Sequence, residues 1–275
     1  MRRKFIGVAF AALAAMLAGS AHAQDKKVTI GVSIPAADHG WTAGVVYHAE
    51  RVAKLLMQEH PGLNVIVKTS PDAANQANAL QDLAVQGLDA LVVLPSDPDP
   101  LVNAIKETKD KGTFVALVDR APSVNDNSIR DLYVAGNNPA LGQVAGEYIK
   151  KTTPDAEVVV IRGLPIPIDQ QRQDGFDKGI AGSNVKVLDR QYGNWNRDDA
   201  FRVMQDYLTK YKKTDVVWCQ DDDLAIRVLE AIQQPQRTDI PYTVAGAGPH
   251  AMSKQVMHGD QPVPVALLFP PALLP

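Results

Sequence analysis

Between Val28 and Phe269 the chain alternates short apolar runs with stretches of helical periodicity, and the connections between them are brief. Val28–Ile34, Leu63–Val67, Ala90–Leu94 and Phe114–Val118 read as strands. The last of these is unbroken in its apolar character, the pattern of a strand buried on both faces. Between the strands, Trp41 to about Gln58 places Val45, Ala49, Val52, Ala53 and Leu56 at helical spacing. Ala73–Gln86 puts Leu80, Leu83 and Ala84 on one helical face, with Gly87 as its stop, and a third helix ends near Lys111. Parallel strands need long crossovers and helices fill them, so this alternation predicts a parallel α/β sheet.

Residues 121–131 are polar and aperiodic, after which the alternation restarts. Strands are expected at Leu132–Ala135, Val158–Ile161, Val185–Asp189, Val216–Cys219 and Tyr242–Gly246. Helices are expected at Ala140–Lys151, Gln170–Ile180, Arg197–Tyr211, Leu224–Gln233 and His250–Met257. Two halves of similar length, without a close sequence repeat, predict two similar Rossmann-like α/β lobes. Val263–Phe269 reads as one more strand. The following Pro270-Pro271-Ala272-Leu273-Leu274-Pro275 has three prolines and no charge, so a C-terminal segment is expected to be missing.

The first 23 residues read as a signal peptide. Arg2-Arg3-Lys4 is a basic n-region, Phe5–Leu17 an apolar h-region too short to span a bilayer, and Ala21-His22-Ala23 a cleavage site. Gln24 rather than Cys follows, so no lipid anchor is indicated, and a soluble periplasmic product is expected. Loss of Arg2, Arg3 and Lys4 from 28 basic residues leaves 25 against 31 acids, or −6. That balance excludes a nucleic-acid binder with a basic face. Cys219 is the sole cysteine, so no internal disulfide can form, and it reads as a buried small hydrophobe.

In open parallel sheets ligands bind beyond the carboxyl ends of the strands. Asp119 and Arg120 stand at such an end, a carboxylate and a planar fork of donors suited to neighbouring hydroxyls. The alternative is an internal salt bridge closing a loop. Asp38-His39-Gly40-Trp41 follows the first strand, and Trp41 offers a flat apolar face to a sugar ring or else packs at a helix start. Gly193-Asn194-Trp195-Asn196-Arg197 repeats that theme, and the two tryptophans could sandwich a ring. Trp218, inside a strand, reads as core. In Gln220-Asp221-Asp222-Asp223 the second or third acid is expected at the N-cap or in the first turn of the next helix, leaving Asp221 as the ligand-facing one. Arg172 gains nothing from the dipole at a helix start, although a surface arginine is the plain alternative. There is no nucleophile elbow, P-loop, complete dinucleotide fingerprint or zinc helix pair, so neither an enzyme nor a cofactor is expected.

Leu117-Val118-Asp119-Arg120, Val134-Ala135-Gly136-Asn137-Asn138-Pro139-Ala140-Leu141-Gly142, Gln171-Arg172-Gln173-Asp174-Gly175-Phe176 and Gln220-Asp221-Asp222 occur in that order behind the signal peptide. In this the chain resembles the type I periplasmic solute-binding proteins of ABC transporters, in their ribose-binding-like branch, from Val28 to Pro271. The resemblance implies two lobes joined by a hinge, residues 24–134 and 135–269, with 270–275 beginning a missing part of the first lobe. It implies ligand-binding roles for Asp119, Arg120, His39, Trp41, Arg172, Trp195 and Asp221. Gly248 stands where ribose binders carry an Asp, and at the last crossover, where they carry a Gln, the chain reads Phe269-Pro270-Pro271, so another pentose, a hexose or a polyol fits as well as ribose. The implied partners are a monosaccharide or polyol and a membrane permease, with a chemoreceptor as a further candidate, and a monomer is expected. The competing readings are a sensory receptor domain and an exported enzyme using Asp221–Asp223 with a metal.

Overall fold

In the computed structural model, which describes residues 27–123, 127–235, 237–247, 250–259 and 262–270, the apolar runs become ten strands in two five-stranded sheets. The first sheet contains β1 (Val28–Pro35), β2 (Leu63–Ser70), β3 (Ala90–Val93), β4 (Phe114–Val118) and β5 (Leu132–Val134) in the order β2-β1-β3-β4-β5. The second contains β6 (Glu157–Arg162), β7 (Lys186–Tyr192), β8 (Val216–Cys219), β9 (Tyr242–Gly246) and β10 (Val265–Leu267) in the order β7-β6-β8-β9-β10. The paired strands run parallel in both, and the two orders are the same topology repeated. In each sheet the chain steps outward once and then returns past its first strand. That reversal opens a crevice at the strand ends, between β1 and β3 in one sheet and between β6 and β8 in the other.

The crossovers are α1 (Gly40–Glu59), α2 (Ala73–Ala84), α3 (Pro98–Asp110), α4 (Asn138–Thr152), α5 (Pro167–Ile180), α6 (Arg197–Lys210), α7 (Asp222–Gln233) and α8 (His250–His258). Leu80 and Leu83 of α2 and Leu101 and Ile105 of α3 pack on Leu91, Val93, Val115 and Leu117 of the first sheet. Its other face meets α1 through Trp41 and Val45. There the half-buried Ile30, Val32 and Val92 border an apolar groove beside α1. The second sheet is more deeply enclosed: every residue of β8 is buried, and Trp218 stacks on Phe176 at 4.2 Å and 8°. Cys219 is buried in the same strand.

The structure adjusts several expectations. Phe114 is not enclosed but 49% exposed, since it opens β4 at the sheet's rim. The polar stretch contains a single helical turn, Asn127–Ile129, whose Ile129 joins the core of the first sheet. The last strand shortens to Val265–Leu267, and Phe269 leaves the ladder and turns inward. Helix α5 begins at Pro167, so Arg172 lies in its second turn rather than at its start. Helices α4 and α5 pack almost backbone to backbone. A Cβ at Gly142 would come within 1.8 Å of the Arg172 carbonyl, and one at Gly175 within 2.0 Å of the Pro139 carbonyl. Only glycine permits that approach, and it brings Arg172 beside Asn138. The signal peptide, the Gly248 position and the terminal 271–275 lie outside the described residues. Among the described residues no helix is long and apolar enough to cross a membrane.

Candidate functional site

The site begins where β4 stops. Asp119 takes a left-handed backbone, φ 56°, which Asp tolerates better than most residues. Its N–H donates to the Val134 carbonyl (2.8 Å), and its own carbonyl accepts from the Tyr133 hydroxyl (2.8 Å). This turn buries Asp119 and Arg120 side by side, with Arg120 Nε 4.0 Å from Asp119 Oδ2. Arg120 Nη1 donates to the carbonyls of Pro95 (3.3 Å) and Ser96 (2.7 Å) beyond β3, which fixes its fork. Burial pushes the Asp119 carboxyl upward, opposed by the charges of Arg120 and Arg172.

From the end of β1, His39 caps α1, and its ring stacks on Trp195 at 6.1 Å and 22°. His39 Nδ1 lies 2.7 Å from Asp38 Oδ1. Trp41, in the first turn of α1, donates from Nε1 to the Phe269 carbonyl (3.0 Å). The second sheet supplies the facing wall. Arg172 Nε donates to Asn138 Oδ1 (2.8 Å) and Nη1 to the Gln220 carbonyl (3.0 Å). Asn194 and Trp195 both adopt left-handed φ, 56° and 51°. For Asn that is ordinary; for a bulky indole it is strained, and strain of this kind gathers at ligand clamps. The indole lies over Gly163, where a Cβ would meet it at 2.2 Å. The guanidiniums of Arg120 and Arg172 stand 5.1 and 5.8 Å from its ring centre.

Asp222 and Asp223 stand in the first turn of α7, one of the two places expected for them, and the cap itself falls to Asp221. Asp221 accepts from the Leu224 N–H (2.9 Å), because its extended backbone precedes the helix. Asp221 still lines the cavity, and burial pushes its carboxyl up to about 6, against the pull of His39. Asp223 accepts from the Gly40 N–H (2.8 Å) and pairs with Arg197 (2.8 Å to Nε), tying α7 to the start of α1. Among the described residues no group of three or more His, Cys, Asp or Glu side chains is placed to hold a metal.

His39, Trp41, Asp119, Arg120, Arg172, Trp195 and Asp221 therefore line one cavity between the two sets of strand ends. Ile168, Ala247 and Phe269 complete it; none is among the site residues read from the sequence, although the Phe269 region departs from the ribose binders. Ala247 and Phe269 follow the ends of β9 and β10, so the strand-end rule that singled out Asp119 also points to them; an apolar side chain simply carries no chemical flag. Of the described residues that line the cavity, Asp119, Arg120 and Trp195 each carry a buried side-chain atom with no hydrogen-bond partner, Oδ1, Nε and Nε1. Two donors and one acceptor, beside flat aromatic faces, suit a molecule with hydroxyl rims and C–H faces.

The model of the periplasmic binding protein domain matches residues 30–269. Ribose import binding protein of Salmonella typhimurium is 28% identical over 236 residues, covering 85% of this chain and 76% of that protein. The Caulobacter myo-inositol binding protein, solved with myo-inositol, superposes with a TM-score of 0.77 at 26% identity, covering 86% of this chain and 80% of that one. The periplasmic component of the arabinose ABC transporter from Shewanella sp. ANA-3, bound to L-arabinofuranose, gives a TM-score of 0.81 at 24% identity over 90% of this chain and 82% of that one. This last likeness concerns the fold. The chain belongs to the periplasmic binding protein family, whose members bind solutes rather than transform them.

Proposed function

From that membership we propose that the chain is the periplasmic solute-binding component of an ABC-type importer, taking a monosaccharide or polyol between its lobes and presenting it to a membrane permease. The observation that carries this reading is the set of buried polar atoms without a hydrogen-bond partner, Asp119 Oδ1, Arg120 Nε and Trp195 Nε1, on three of the residues that line the cavity. Leaving such groups unsatisfied is costly, and a ligand that pairs with them recovers that cost on binding. Relatives named for ribose import, and solved with myo-inositol, support the polyhydroxylated class.

In this reading residues 24–134 and 135–269 are the two lobes, and residues 1–23 direct export. Asp119, Arg120, His39 and Trp41 hold the ligand from one side, and Arg172, Trp195 and Asp221 from the other. Ligand docks on one lobe and hinge closure brings up the second, as in the hinge motion known for periplasmic binding proteins. Contacts made only after closure are the differential affinity that shifts the population. A panel of pentoses, hexoses and polyols, read by thermal shift and isothermal titration calorimetry, tests the proposal. At least one should raise the melting temperature and bind one to one. Silence from all of them, with a shift from divalent metal instead, would overturn it.

A further inference from the structure

The cavity is chemically two-sided. Its charged groups, Asp119, Arg120, Arg172 and Asp221, lie at the ends of β4 and β8 and on α5, whereas Trp41, Ala247 and Phe269 form a continuous apolar corner. Trp41 presents only carbon there, because its indole N–H is already donated to the Phe269 carbonyl at 3.0 Å. The Phe269 ring is held in place: it sits on Gly136, where a Cβ would come within 2.1 Å, and tilts against Trp41 at 6.1 Å and 50°. The Arg172 guanidinium, 5.1 Å from the centre of that ring, marks where the polar wall stops. Ala247 offers a methyl group from a left-handed backbone, φ 58°, and its N–H is donated to the Leu267 carbonyl at 2.7 Å. Among the described residues that line the cavity, a ligand hydroxyl pointed into this corner would meet no side-chain polar atom short of the Arg172 guanidinium at its border, and would lose its water.

Resting on the sugar-binding reading above, we propose that the ligand carries a carbon without a hydroxyl against Trp41, Ala247 and Phe269, as the methyl group of a 6-deoxyhexose would. Phe269 and Ala247 are then the residues that set specificity, while the opposite wall supplies the hydrogen bonds. Calorimetry on the full chain with D-fucose, L-fucose and L-rhamnose, each beside its parent D-galactose, L-galactose or L-mannose, tests this. In the tightest pair the deoxy member should bind about 10-fold more strongly or better. Phe269→Gln and Ala247→Asn each place an amide in the corner, and Asn suits the left-handed backbone. Both should bring that ratio toward one while the circular dichroism spectrum stays that of the parent protein. A parent hexose that binds as tightly as its deoxy partner in every pair overturns the inference, as does a preference unchanged in both variants. If no member of any pair binds but a pentose or polyol does, this inference falls and the sugar-binding reading stands. If no sugar or polyol binds, both fall.

Discussion

Asp119 bears two costs, a left-handed backbone and a carboxylate removed from water beside a guanidinium 4.0 Å away. A residue kept only to close a loop needs neither. Truncating one member of a buried charge pair that pairs with ligand weakens binding steeply, so Asp119→Ala or Arg120→Ala should lower ligand affinity about 100-fold or more by calorimetry. An unchanged affinity would mean that the pair is structural. Asp221 makes a prediction about pH. Burial raises its carboxyl to about 6 from an ordinary 3.8, so the folded state keeps this proton to higher pH than the unfolded chain does. Its effect on folding stability is therefore most favourable below about pH 4 and declines as pH climbs through about 6. Affinity should run the other way, rising across the same window, because a ligand hydroxyl donates more strongly to the ionised carboxylate than to the protonated acid. Asp221→Asn keeps a competent helix cap and should flatten both slopes, read as melting temperature and Kd at about pH 5 and about pH 7.5. Asp119, also shifted upward, leaves a residual slope.

Helix α1 begins against the other sheet's helix α7. The Gly40 N–H donates to Asp223 Oδ2 at 2.8 Å, and a Cβ at Gly40 would press on that oxygen at 2.6 Å. Gly40→Ala improves helix propensity yet obstructs this contact. Ligand-free melting should hold or rise slightly while affinity drops about 10-fold; a parallel fall in both would assign Gly40 to folding rather than closure. The strands also differ in enclosure. All four residues of β8 are buried, whereas β2, at the edge of the first sheet, buries only Ser70. Amide exchange should therefore be slower in β8 than in β2, since local opening follows burial. Strand positions were legible because apolar runs bounded by turn residues leave few other options, and β4, β8 and β9 match their expected spans. The ends of α5, β7 and β10 were not, because helix entry at Pro167 and the release of Phe269 from its ladder depend on neighbours far along the chain.

At the scale of the whole molecule, two copies of one sheet topology place their strand ends around a shared cavity. If ligand shifts the population toward closure, small-angle scattering should show a smaller radius of gyration with bound sugar, and Gly40→Ala should reduce that change. What the sequence determined by itself is the repeated β/α order and the polar residues at strand ends, because period and turn chemistry are local properties. Asp119, Arg120 and Trp195 could be named from that alone. Tertiary structure alone decided that Asp221 rather than its neighbours caps α7, that Trp195 sits in a strained turn, and that Phe269 walls the cavity. Each of these depends on which distant backbone group lies within a few ångströms, and local periodicity does not encode that.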